Sequence, residues 1–299
     1  LMNNHLEKVI FTTIDEIRDY AFFNADNLEY VGNKASGFPT AKTIESNGVL
    51  ASIGSYAFAN IDSIEAVKIS SSVNVVGSYV FTNMSELNSV IIENAVIGDH
   101  MFDASVSLQS VVIPATVVNI ASHAFANSAL STITFENALI GEYMFYNNNQ
   151  LVIVNVPNNI NSIGYAAFGG CGAITSMTLP FVGANRYDDT QENYKFKALF
   201  GYIFGHKVEQ DMAPSLQDDG QSSSQIVPVD TDSTTTITST NGYTFYIPRG
   251  LVDIEITDDT VVGVGAFENM RYVQRIILPD IQRILDSAFE GTQSLLSIT

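Results

Sequence analysis

Tryptophan is absent from the 299 residues, cysteine occurs once, and only thirteen lysines and arginines stand against thirty-two aspartates and glutamates, for a net charge of −19. Each shortage excludes something. Nucleic acid and anionic membrane surfaces attract clustered cations, and the few basic residues are scattered, so neither is an expected partner. The lone thiol, Cys171, rules out an internal disulfide framework and any multi-cysteine zinc site. No run of about eighteen apolar residues occurs, so no membrane-spanning helix is expected. Without tryptophan, stacking platforms for a glycan fall to tyrosine. Charged residues make up only 15 % of the chain, against roughly 25 % in ordinary soluble domains. Asn, Ser, Thr and Gly take their place, a composition that suits extended secreted scaffolds. The opening Leu1-Met2-Asn3-Asn4-His5 has neither a basic nor an apolar leader region, and Leu295 to Thr299 stop inside a repeat. The expectation is either a cytoplasmic protein or a chain whose leader is absent from this sequence, and in either case a piece of something longer.

What the chain does have is a repeat. A phenylalanine recurs in one context at Phe22, Phe58, Phe81, Phe102, Phe125, Phe145, Phe168, Phe267 and Phe289. From Phe58 to Phe168 the steps are 23, 21, 23, 20 and 23, and the last, Phe267 to Phe289, is 22. Five residues before the Phe sits a β-branched aliphatic (Ile17, Ile53, Val76, Ile97, Ile120, Ile140, Ile163, Val262, Ile284), and four before it usually Gly, as at Gly54, Gly77 and Gly98. Six residues after it comes Leu28, Ile64, Leu87, Leu108, Leu151, Ile174, Val273 or Leu295, opening a Leu-x-x-Val-x-Ile pattern such as Leu108, Val111, Ile113. One unit shortens that spacing by a residue, to Leu130. Units also alternate: Phe58 to Phe102 and Phe81 to Phe125 are both 44 apart, which points to duplication of pairs.

Alternating β-branched residues closed by Pro114, Pro157, Pro180 or Pro279 read as short strands. The Ile-Gly-x-x-Ala-Phe half reads as a tight turn followed by one or two helical turns. One unit buries about five large apolar side chains, too few to offset the ordering of some twenty residues. Neighbouring units must therefore share a core and pair their strands. The expected fold is an α/β repeat: a leucine-rich-repeat solenoid with parallel strands on one face, short helical turns and an inserted subdomain.

Ile-Gly-x-x-Ala-Phe, a small or Cys position three residues later, and Leu-x-x-Val-x-Ile-Pro together resemble the BspA-type leucine-rich repeats. Leu179-Pro180-Phe181-Val182-Gly183 followed by Phe200-Gly201-Tyr202-Ile203-Phe204-Gly205 is similar to an insertion in Firmicutes members, and Ile247-Pro248-Arg249-Gly250-Leu251 to their return into the solenoid. The resemblance spans nearly the whole chain. It implies a bacterial cell-surface protein linked to adhesion or host contact, and it carries over no catalytic residue.

Three segments follow: repeats over 1–180, an insertion subdomain over 181–250, and repeats again over 251–299. Phe22 to Phe58 spans 36 residues, and the excess, from Gly32 to Gly48 around Gly37-Phe38-Pro39, reads as a surface loop. Within the insertion, Gln217 to Thr240 is rich in Ser, Thr, Asp and Gln and reads as mobile. Tyr194, Phe196, Leu199, Phe200, Tyr202, Ile203 and Phe204 are too apolar for water, and Tyr243, Phe245 and Ile247 alternate as a strand does.

Chemistry is sparse. His100 and His123 fall two before the Phe, where Tyr20, Tyr56, Tyr79 and Tyr143 stand in other units, so a stacked aromatic column accounts for all six. A metal-binding His pair is disfavoured because no carboxylate recurs beside them at fixed spacing. Cys171 shares its position with Ala25, Ser105, Ser128 and Thr292 and reads as buried. Asn24, Asn60, Asn83, Asn127, Asn147 and Asn269 recur two after the Phe and read as a turn ladder. Asp188-Asp189, Asp218-Asp219, Asp230-x-Asp232 and Asp258-Asp259 lack the offsets of a calcium loop and read as solvated. Gly263-x-Gly265 lacks the third glycine of a dinucleotide fingerprint. Asn94, Asn137 and Asn158 read as loop positions on the edge opposite the strands.

The outward strand positions are more informative. They run Ala66 and Lys68, Ser89 and Ile91, Ser110 and Val112, Thr132 and Thr134, Ile153 and Asn155, Ser176 and Thr178, Arg275 and Ile277, a strip that reads as uncharged and partly aliphatic. Ile91, Val112, Thr132, Thr134, Ile153 and Asn155 are the candidate partner-binding residues. The expected function is a non-catalytic cell-surface adhesion scaffold for an extracellular protein partner, or less readily a glycan, with no cofactor and no metal. The alternatives are a spacer presenting other domains and an enzyme with its site in 181–250.

Overall fold

The structure is a computed structural model that describes residues 5–33, 41–46, 48–186, 197–205, 222–227 and 243–299. Gly37-Phe38-Pro39, Tyr194, Phe196, Asp188-Asp189, Asp218-Asp219, Asp230, Asp232 and most of 217–240 lie outside the described residues. The chain divides into two compact units, Leu1–Gln150 and Leu151–Thr299.

In the first unit, Lys8–Ile10, Tyr30–Gly32, Thr43–Glu45, Ala66–Ile69 and Ser89–Ile92 form one parallel sheet in sequence order, and Ser110–Ile113 pairs in parallel with Thr132–Phe135. Alternation does what the pattern predicts. Leu108, Val111 and Ile113 are buried, whereas Ser110 and Val112 are exposed. The expected loop over Gly32–Gly48 is corrected in part. Thr43–Glu45 is an added strand between Tyr30–Gly32 and Ala66–Ile69, and Ile44 goes into the core. Having no phenylalanine of its own, this strand escapes a search built on Phe spacing. It widens the strand side by about 4.8 Å, while Phe22 and Phe58 still stack directly, centroids 5.1 Å apart.

The expected helical turns are not there. The aliphatic five before each Phe sits in a two-residue strand: Glu16–Ile17, Ser52–Ile53 and Val75–Val76 form a second parallel sheet, and Val96–Ile97 pairs with Asn119–Ile120. The chain then turns through two left-handed residues four apart, such as Tyr56 (φ 56°) and Asn60 (φ 57°), or His123 (φ 56°) and Asn127 (φ 54°). A left-handed residue that often breaks right-handed winding, so no α-helix propagates. Hydrogen bonds run between units instead: the N–H groups of Tyr56, Phe58 and Asn60 donate to the carbonyls of Ser78, Val80 and Thr82, at 3.0 Å each. The recurrent Gly packs close to backbone. A Cβ on Gly54 would come within 2.4 Å of the Asp19 amide, and one on Gly77 within 2.4 Å of the Ser55 amide.

The core of this unit is a phenylalanine stack. Phe58, Phe81, Phe102 and Phe125 follow one another at 5.2–5.4 Å, nearly parallel and fully buried. In the shortened unit, the Leu130 amide does not donate to the carbonyl three residues back, as those of Leu28, Leu87 and Leu108 do. The buried Asn148 side chain replaces it. Its Oδ1 accepts from the Leu130 amide (3.1 Å), and its Nδ2 donates to the carbonyls of Phe125 and Phe145.

In the second unit, Ile153–Asn155, Ser176–Leu179, Asp253–Ile256, Arg275–Ile277 and Ser297–Ile298 form one parallel sheet. The break in the repeat therefore leaves the strand order intact. Ser222–Val227 and Tyr243–Pro248 form an antiparallel hairpin, and Phe200–Ile203 is a short 3₁₀ turn. That turn occupies a rung. Phe168 donates to the Ile203 carbonyl (2.9 Å), Phe200 to Ala266 (2.9 Å), and Phe267 to Ala288 (2.8 Å). Phe200 and Phe267 lie 5.7 Å apart with their rings tilted by 32°, and Phe267 and Phe289 stack at 5.4 Å.

Candidate functional surface

Every candidate partner-binding residue is exposed. In the first unit these are Ile91, Val112, Thr132 and Thr134, with Val112 paired in register with Thr134 and Ser110 with Thr132. In the second they are Ile153 and Asn155, in register with Ser176 and Thr178. Ile91 is 52 % exposed and Ile153 59 %, so neither carries core weight, while their neighbours Ile92 and Val154 are buried. β-Branched side chains favour a pleated surface wherever they stand, which explains the residue type without explaining why so few of these positions are charged.

The strip is not uncharged throughout. Asp253 and Glu255, which the interrupted repeat hid from the strand series, lie between Ser176–Thr178 and Arg275–Ile277. Arg275 Nε donates to Asp253 Oδ1 at 2.9 Å, and this bond raises the guanidinium pKa. In the first unit Lys68 meets Glu93 at 2.8 Å, and that hydrogen bond with the attached charge raises the ammonium pKa.

On the turn side of the first unit the aromatic column is continuous. Tyr20, Tyr56, Tyr79, His100, His123 and Tyr143 stack ring on ring at 4.3–5.0 Å, with interplanar angles from 4° to 11°. All six have positive φ. For bulky residues that conformation is strained, and ring stacking of about 0.5–1.5 kcal/mol per pair helps hold it. His123 has its pKa lowered, first by burial and then by the neighbouring His100, while burial raises that of Tyr79. His100 Nδ1 lies 2.8 Å from Asp103 Oδ2, and His123 Nδ1 2.6 Å from Ser122 Oγ. Asp99, His100 and His123 each offer a ligand atom within 4.8 Å of the others. Spacing alone missed this cluster although a carboxylate does recur three before the Phe, at Asp19, Asp99, Glu142 and Asp286, with Ser55, Ser78 and Ser122 in other units. Only Asp99 directly precedes a histidine.

The asparagine ladder forms in two places, from Asn83 Nδ2 to Asn60 Oδ1 (3.1 Å) and from Asn147 Nδ2 to Asn127 Oδ1 (3.0 Å). Ala104 interrupts it, and the Asp103 carboxylate accepts from Asn127 there. The recurrence has a backbone cause that side-chain chemistry alone did not reveal, since Asn tolerates the left-handed region. Asn94 and Asn137 are buried, contrary to their expected place in an outer loop, and each turns its Nδ2 to a carbonyl two residues ahead. Asn158 is exposed as expected. Cys171 is buried. The Asp258-Asp259 pair is not simply solvated. Asp258 is ion-paired to Arg186, and the buried Asp259 accepts from the Thr260 amide at 2.9 Å.

Repeats, strands and stacked phenylalanines find their counterpart among known proteins. The BspA type leucine rich repeat region matches in six copies, over residues 2–97, 93–189 and 223–299. The chain belongs to this family. Among solved structures, a leucine-rich repeat protein of Bacteroides ovatus shares 18 % identity at a TM-score of 0.54, over 97 % of this chain and 65 % of that one. That likeness shows a common fold, and the chain spans just under two thirds of that relative's length. A leucine rich cell surface protein of Faecalibacterium prausnitzii aligns at 18 % identity and TM-score 0.34, over 95 % of this chain and 76 % of that one. The pneumococcal vaccine antigen PcpA aligns at 16 % and 0.43, over 91 % and 71 %. No curated protein matches. Among the described residues of this BspA-type chain, no helix is long and apolar enough to cross a membrane.

Proposed function

We propose that this chain is a non-catalytic interaction scaffold at a bacterial cell surface, holding an extracellular protein partner on its outward strand residues. The observation that carries this reading is the exposure of Ile91, Val112 and Ile153 beside buried core neighbours. Aliphatic side chains that contribute nothing to the core and stand among Ser and Thr on the strands of each unit are suited to a partner's surface. A single rung offers too little area, whereas several together approach the roughly 800 Å² per partner of a stable interface. A protein partner is favoured over a glycan because tryptophan is absent. Surface location rests on the family likeness.

Surface plasmon resonance of the purified chain over immobilised extracellular-matrix and cell-surface proteins tests the proposal. Saturable binding that is lost when the chain is heat-unfolded supports it. Absence of saturable binding across the panel, with the chain folded, favours a spacer and overturns it.

A further inference from the structure

We propose that Asp99, His100 and His123 form a binding site for a first-row transition-metal ion of the zinc class. One carboxylate oxygen and one nitrogen of each ring lie within 4.8 Å of one another, and all three residues are half-buried. Two imidazoles with a carboxylate are the donor set of zinc-type ions, whereas calcium and magnesium want a shell of oxygens. The surroundings fit as well. Asp103 Oδ2, 2.8 Å from His100 Nδ1, either orients that ring as an outer-sphere carboxylate or enters the shell as a fourth ligand. Ser122 Oγ, 2.6 Å from His123 Nδ1, fixes the second ring. Partial exposure leaves room for water to complete the coordination.

The stack sets what binding must do. The centroids of the two imidazoles lie 4.4 Å apart, with the rings within 5° of parallel, so their in-plane lone pairs do not converge until the rings tilt. Tetrahedral zinc with nitrogens at about 2.05 Å needs them about 3.3 Å apart, so the ligands close by rotation of partly exposed side chains. The ion then ties together two successive units, one holding Asp99 and His100 and the other His123. The other repeats lack the histidine pair: where a carboxylate precedes the column position, in Asp19-Tyr20, Glu142-Tyr143 and Asp286-Ser287, the column residue is Tyr or Ser.

Neighbouring rungs also supply variants that keep the fold. His100→Tyr and His123→Tyr preserve a ring in the column, and Asp99→Ser installs the residue of the flanking units. The experiment is calorimetric titration of the whole tag-free chain with zinc chloride, paired with thermal melts in zinc or in magnesium. The expected result is one zinc per chain, a melting temperature raised by zinc and not by magnesium, and affinity reduced at least tenfold in each variant. Absence of zinc binding by the unmodified chain overturns the proposal. So does undiminished binding by the two Tyr variants, or an equal response to magnesium.

Discussion

The backbone N–H of Phe200 donates to the carbonyl of Ala266 at 2.9 Å, and its ring lies 5.7 Å from that of Phe267. A residue from the interruption in the repeat thus meets Phe267 as a preceding unit's phenylalanine would, while Phe168 bonds the Ile203 carbonyl of the same turn. Full burial and the tilted ring contact with Phe267 make Phe200 a member of the spine. Phe200→Ala is expected to cost about 3–5 kcal/mol, as Phe102→Ala and Phe125→Ala are, because each leaves a cavity in a packed core. Urea melts measure it. A loss under about 1 kcal/mol for Phe200 alone removes it from the spine.

Asn148 repairs a one-residue deletion. Its side chain is the acceptor for the Leu130 amide and the donor to two carbonyls. Asn148→Ala strands a buried N–H and is expected to cost about 1–3 kcal/mol. Restoring one residue between Phe125 and Leu130 in that variant should recover part of the loss. An unchanged melting midpoint in the single variant contradicts the repair.

Glu268 and Glu290 occupy the same position on adjacent units, and the Glu268 carboxyl is pushed above its ordinary value by burial first and by Glu290 second. A folded-state pKa above the unfolded one means that the folded chain binds protons more readily. The penalty is therefore full at neutral pH, shrinks as pH falls through the raised value, and is gone below the ordinary value of about 4.3. Glu268→Gln should stabilise at pH 7 by a few tenths of a kcal/mol to about 1 kcal/mol, as expected for a screened, partly exposed pair. The gain should vanish near pH 4. Equal gains at both pH values point to packing instead of charge.

Much of this architecture is legible in the sequence because stacking forces residue type to recur. Phe58, Phe81 and Phe102 meet one another, so each must be an apolar ring of the same size. Ser110 and Val112 face outward in every way the alternation predicts. What escaped was whatever occurs once or acts through the backbone. Thr43–Glu45 adds a strand without a phenylalanine. The helical turns expected after Ile-Gly are excluded by left-handed residues at Tyr56 and Asn60, and φ has no direct signature in a Tyr. Asp99 lies beside two histidines only because the rungs superpose residues 23 apart, His100 and His123. Asp253 and Glu255 lie beyond the interruption that ended the strand series.

The central claim is that a partner is held on the outward strand residues. Two variants probe it separately, Ile91→Asp with Val112→Asp in the first unit, and Ile153→Asp with Asn155→Lys in the second. The control is Val106→Asp with Val118→Asp, which places the same charges at aliphatic positions 57 % and 68 % exposed but outside the strands. All three proteins should melt within about 0.5 kcal/mol of the parent, since surface changes remove no core contact. The deciding measurement is the affinity of each for the matrix or cell-surface protein that the parent retains. The account predicts that at least one strand variant loses binding tenfold or more while the control keeps it. Loss in the control, with both strand variants unimpaired, contradicts it.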